Sequence, residues 1–184
     1  MLKEKVSQYL HKRHFSNLMK RLKKIGVKFV APNTVEGVMF FVPDTEQLQH
    51  DSMEGTLHVK ILDPRLAKVF QDELKMYGFE LRKELTSNSS AAHGTMVARN
   101  EILRLTFEEV DDMRNEYNYV TVRVELTSIV FFSNKKSYVA GLGAVIEGLS
   151  ELRKKFKLKP MDSPHVTCCF LKASAYNRKL KRYE

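Results

Sequence analysis

The chain is poor in cysteine, in long apolar runs and in acidic charge, and each shortage narrows what it can be. Only Cys168 and Cys169 are present. As neighbours in a strand they would leave the backbone on opposite faces, so the pair offers no disulfide framework and points to a reducing compartment. No second Cys/His cluster accompanies them, which leaves zinc unsupported. No apolar stretch approaches the roughly 20 residues that a membrane helix needs, and no membrane association is expected. The opening "MLKEKVSQYLHKRHF" is too charged for a signal-peptide core, so the expected location is the cytoplasm. Acidic residues number 22 against 31 Lys and Arg, a formal charge of +9 that suits an anionic partner such as nucleic acid, nucleotide or phosphate. Much of the excess sits in "HKRHFSNLMKRLKK" near the start and "NRKLKRYE" at the end. These two segments are candidates for RNA contact, and equally for solvated basic surface.

What is present reads as a mixed α+β chain of 184 residues, long enough for one well-packed domain or a domain with an extension. Residues 2–25 have apolar positions at three- and four-residue spacing, the pattern of an amphipathic helix that Gly26 stops. "VKFVA" and "VMFFVP", joined through "PNTVEG", predict a hairpin. The polar stretch 44–55 then suggests a boundary between an N-terminal helix–hairpin extension (1–55) and a main domain (56–184). Within the latter, "TLHVKIL" (56–62) alternates as a strand. "DPRLAKVFQDELKMYG" (63–78) predicts a helix with Asp63 as its cap, Pro64 in the first turn and Gly78 at its close. "TFEEVDDMRNEYN" (106–118) carries a capping box of Thr106 and Glu109. Strands are expected at 93–98, 119–133, 137–146 and 165–171, with a helix at 147–158.

Chemistry is concentrated in "SPHVTCCFLK" (163–172). His165 and Thr167 are two apart at the head of an expected strand and so project from one face. "AAHGTMVA" repeats the arrangement with His93 and Thr95. The spacing alone discriminates little, because His14 and His50 also have a serine two residues on. Context separates them: His14 falls in the expected helix, His50 in a polar loop, and only His93 and His165 head strands. His58, in "TLHVK", reads as a strand residue with a local hydrogen bond, and His11 as a surface helix residue.

With these motifs and the order of elements around them, residues 56–172 resemble the two-histidine (2H) phosphoesterases, the LigT-like family. Its members carry two H-x-[ST] motifs on strands of two similar lobes. "LKPMDSPHVTCCFL", with proline directly before the motif, is the most specific part of the likeness. The first motif departs from the pattern: Gly94 stands where the family usually has an apolar residue. The resemblance implies a two-lobed fold with antiparallel sheets facing a central cleft and helices outside. It also implies a metal-independent phosphodiesterase that uses no cofactor. His93 and His165 would be the catalytic acid and base, in an order the sequence leaves open, while Thr95 and Thr167 would hold phosphate oxygens. An imidazole with an ordinary pKa near 6.5 suits either role at neutral pH. Phe132, Lys135, Tyr138 and Tyr176 are candidates for base stacking or phosphate contact. The implied substrates are 2′,5′-oligoadenylate, cyclic oligonucleotide messengers, or RNA ends with a 2′,3′-cyclic phosphate; several viral and phage members cleave the first two to blunt host defence. Two other readings compete: a non-catalytic basic RNA-binding protein, and a module whose helix 2–25 packs its apolar stripe on a partner protein.

Overall fold

The computed structural model describes residues 2–42, 55–82, 92–133 and 138–172, with side chains in the first helix from Lys12 onward. Lys135 and Tyr176, and the basic segment at the C-terminus, lie outside the described residues. The elements run α1 (Leu2–Lys24), β1 (Thr34–Val42), β2 (Thr56–Ile61), α2 (Arg65–Met76), β3 (His93–Val97), α3 (Arg99–Ile102), α4 (Phe107–Tyr117), β4 (Thr121–Ser133), β5 (Tyr138–Ile146), α5 (Leu149–Lys155) and β6 (His165–Leu171). The fold is α+β.

Helix ends follow from local chemistry. Gly26 and Gly78 take positive φ after α1 and α2, and each following residue reaches back to close the helix (Val27 N–H to the Leu22 carbonyl, Phe79 N–H to that of Leu74). Helix α4 has the expected box: Thr106 Oγ1 accepts from the Glu109 N–H, and Glu109 accepts from the Thr106 N–H. At α2 the cap position itself is Pro64, while Asp63 one residue earlier accepts from the Arg65 N–H at 3.0 Å. The expected hairpin does not form. A turn does occur, with Thr34 N–H on the Ala31 carbonyl and Asn33 in the left-handed region, but no strand covers Val27–Val30. Both edges of β1 are occupied instead, one by β2 and the other by β4.

All six strands pair antiparallel and close into one barrel in the order β1-β2-β3-β6-β5-β4. That order is symmetric about the β3–β6 pair. The succession helix–strand–strand–helix–strand occurs twice, as α1-β1-β2-α2-β3 and as α4-β4-β5-α5-β6, with α3 between. The segment 1–55 therefore supplies α1 and β1, the counterparts of α4 and β4, and the barrel closes through β1.

The two faces of the sheet differ. One is continuous and apolar: Met39, Val59, Val124, Leu142 and Val166 are buried in a single core with Leu18 and Leu22 of α1, Phe70 and Leu74 of α2, Met113 of α4 and Leu152 of α5. The apolar stripe of α1 is thus spent on this core, against α2 and β4, and is not available to a partner protein at Leu18, Met19 or Leu22. The opposite face carries the motif residues. Among the described residues no helix is long and apolar enough to cross a membrane.

Candidate active site

The barrel brings the two motifs onto adjacent strands. His93 of β3 stands directly across from Thr167 of β6. Residues on the diagonal of an antiparallel pair are about 7–8 Å apart, which sets the spacing of His93 and His165. Both histidines and both threonines are half-buried, whereas the residues alternating with them, Gly94, Met96, Val166 and Cys168, are buried.

Gly94 explains its own departure from an apolar residue. A Cβ built there would lie 2.7 Å from the His165 carbonyl oxygen and 3.3 Å from a Val59 methyl. The close approach of β3 to β6 depends on that missing side chain. The second half has a similar device: a Cβ on Gly141, which pairs with Thr167, would meet the Val166 carbonyl oxygen at 2.2 Å.

His165 has a defined orientation. Its Nδ1 is 3.0 Å from the Ser163 carbonyl oxygen, which can only accept, so Nδ1 carries the hydrogen in that contact. Neutral His165 then presents the lone pair of Nε2, and protonated His165 presents an Nε2–H. The Phe132 ring sits 3.9 Å from the imidazole, centroid to centroid. It comes from β4, where Phe132 pairs with Val139 of β5, the strand that lies between β4 and β6. Of the four expected contact residues, Phe132 is therefore beside the site. Tyr138 is not: it shares the face of Ala140 and Leu171 and packs against the apolar core.

Two features go beyond the sequence reading, although the strand position and local hydrogen bond expected of His58 are both present, the latter to Thr56. The first is His58, which pairs with Thr95 across β2 and β3 and is only 2% exposed. Its Nδ1 is 3.4 Å from Thr95 Oγ1, its Nε2 contacts Thr56 Oγ1, and its ring meets His93 edge-on at 5.5 Å. In sequence His58 lacks a hydroxyl at i+2, and only the strand register reveals that the hydroxyl lies on the neighbouring strand.

The second is a brace behind the site. Arg153 of α5, 5% exposed, donates to the Met96 carbonyl at 2.7 Å, to the Lys159 carbonyl at 2.5 Å and to Glu101 at 2.5 Å. It ties the strand of the first motif to the segment that leads into the second. Burial pushes the Glu101 carboxyl up, but the Arg153 guanidinium and the Ala98 N–H outweigh it and hold the group below its ordinary value. The signal for Arg153 was legible: it is four residues after Leu149 and three before Phe156, on the apolar stripe of α5.

Comparison with protein-family models, curated proteins and solved structures gives no match for this chain.

Proposed function

We propose that the protein is a metal-independent phosphodiesterase of the two-histidine type that acts on a nucleotide phosphodiester. The observation that carries this reading is the pairing of His93 with Thr167 on adjacent strands, which gathers two imidazoles and two hydroxyls on one sheet face. In this reading that face is the floor of a substrate cleft, the two matching halves of the chain are its lobes, and Phe132 borders the position of a base. One histidine removes the proton from the attacking water or ribose hydroxyl as the new P–O bond forms. The other protonates the oxygen that leaves as the old P–O bond breaks. Thr95 and Thr167 donate to the non-bridging oxygens, where negative charge grows in the transition state. His165 acts through Nε2 in either role, because Nδ1 is held by Ser163. The preferred substrates are 2′,5′-oligoadenylate or a cyclic oligonucleotide messenger, an activity that would counter host defence; RNA ends with a 2′,3′-cyclic phosphate come next.

The test is cleavage in EDTA of 2′,5′-linked triadenylate, cyclic dinucleotides and an RNA ending in a 2′,3′-cyclic phosphate. His93→Ala and His165→Ala should each lose about 10²–10⁴ in rate. Cleavage that survives either change refutes the pairing.

A second reading, a basic RNA-binding protein, draws on the exposed cations Lys12, Arg13, Lys20, Lys23 and Lys24 of α1. It requires binding to long RNA that weakens steeply with salt and ignores both histidine changes.

A further inference from the structure

We infer that His58 is a positioning residue that fixes the hydroxyl of Thr95, so that the hydroxyl hydrogen is directed at a phosphate oxygen of the substrate. The inference rests on the phosphodiesterase reading, which requires Thr95 to act as a donor.

The argument is one of hydrogen-bond direction. A threonine hydroxyl has a single hydrogen, and a neutral imidazole has one N–H and one bare nitrogen. His58 Nδ1 faces Thr95 Oγ1 and His58 Nε2 faces Thr56 Oγ1. If Nε2 carried the hydrogen, Nδ1 would accept from Thr95, and the Thr95 hydrogen would be turned toward His58 and away from substrate. If Nδ1 carries it, His58 donates to the Thr95 oxygen and the Thr95 hydrogen is left for the phosphate. The chain then runs from the Thr56 hydroxyl into Nε2, and from Nδ1–H into Thr95 Oγ1. Burial of His58 and its stacking on Phe40, at 5.7 Å between centroids, hold the ring in this plane.

The second half of the barrel shows that the fold does not demand this residue. The position corresponding to His58 is Gly141, which pairs with Thr167 as His58 pairs with Thr95. That half of the barrel closes with no side chain at the position. The imidazole is needed only by the first motif, where it adds a polar partner for the threonine and an edge-on contact for His93.

Two measurements test the inference on the full chain. The first is a long-range ¹H–¹⁵N spectrum of the histidine rings, which reports the site of the hydrogen without any need for turnover. A hydrogen on His58 Nδ1 supports the inference, and a bare Nδ1 overturns it.

The second is kinetics on 2′,5′-linked triadenylate with His58→Leu, Thr95→Val, the double variant and His58→Asn. Removing an aimed donor costs about 10²–10³ in kcat, and that is the expected loss for Thr95→Val. His58→Leu should lower kcat by a smaller factor with little change in KM, and should cost nothing further in the Thr95→Val background. His58→Asn, whose amide N–H can replace the Nδ1 donor, should recover most of the loss. Multiplicative losses in the double variant, or no recovery with Asn, overturn the inference. Melting curves identify a variant that has failed to fold, in which case His58→Asn and the spectrum decide. If the wild-type chain cleaves nothing, the phosphodiesterase reading fails and the spectrum still judges His58.

Discussion

Gly94→Ala is the most economical probe of the site, because it adds one methyl group where the two motif strands meet. The added Cβ would lie 2.7 Å from the His165 carbonyl oxygen, about 0.7 Å inside ordinary contact. A side chain in the way could rotate, but this obstacle is backbone, and the Val59 methyl at 3.3 Å closes a second direction. The strands must therefore part. Overpacking of this kind costs about 1–3 kcal/mol, or about 2–12 °C in melting temperature for a chain of this size. Activity should fall further than stability, since a displacement of about 1 Å between reacting groups costs on the order of 10²-fold. The assay is thermal melting beside cleavage of triadenylate at a temperature where the variant is fully folded. Gly143→Ala is the control: its Cβ would meet the Ser128 and Thr127 hydroxyls at 2.5 and 2.8 Å, and those side chains can rotate away. It should cost less than Gly94→Ala on both measures. A Gly94→Ala protein that melts and cleaves as wild type would refute the close approach of β3 to β6.

The brace gives two further outcomes. Arg153→Met removes the buried donor to the Met96 and Lys159 carbonyls and to half-buried Glu101, which keeps the Ala98 N–H. Leaving buried acceptors unmet in this way costs about 1–3 kcal/mol, which denaturant melts would register. Because the Glu101 carboxyl is held below its ordinary 4.5, its contribution to stability is present above that value and is lost as the pH falls through the lower folded value. The melting-temperature gap between wild type and Glu101→Gln should therefore be largest at neutral pH and close as the pH falls below 4.5 and through the lower folded value. The cysteines give the last: burial pushes the Cys169 thiol up to about 12 and Cys168 well above its ordinary value. Iodoacetamide at neutral pH should leave both untouched in the folded chain and modify both in denaturant, as read by mass spectrometry.

Local grammar was legible where it depends on neighbours in sequence. The capping box at Thr106 and Glu109, the glycine stops at Gly26 and Gly78, and the alternation that puts His93 with Thr95 and His165 with Thr167 are all decided within a few residues. The hairpin failed because pairing is decided elsewhere. "VKFVA" has strand composition, but β2 and β4 take both edges of β1. The repeat was hidden for a related reason: what the halves share is an order of elements and a burial pattern, not residues. Where β2 has His58 and Lys60, β5 has Gly141 and Gly143 at the corresponding register.

That difference bears on how two similar halves come to hold unlike histidines. The strand beside His93 presents Lys60 directly across from it and His58 two residues away. The strand beside His165 presents Gly143 directly across and Gly141 two residues away. The first motif is thus flanked by a cation and a buried imidazole, the second by two glycines, and the Phe132 ring from β4 packs on His165. On the phosphodiesterase reading, Lys60 gives the first motif an exposed cation for the anionic substrate that the second motif lacks. Lys60→Ala should therefore raise KM for triadenylate and leave kcat nearly unchanged, and an unchanged KM would refute that role.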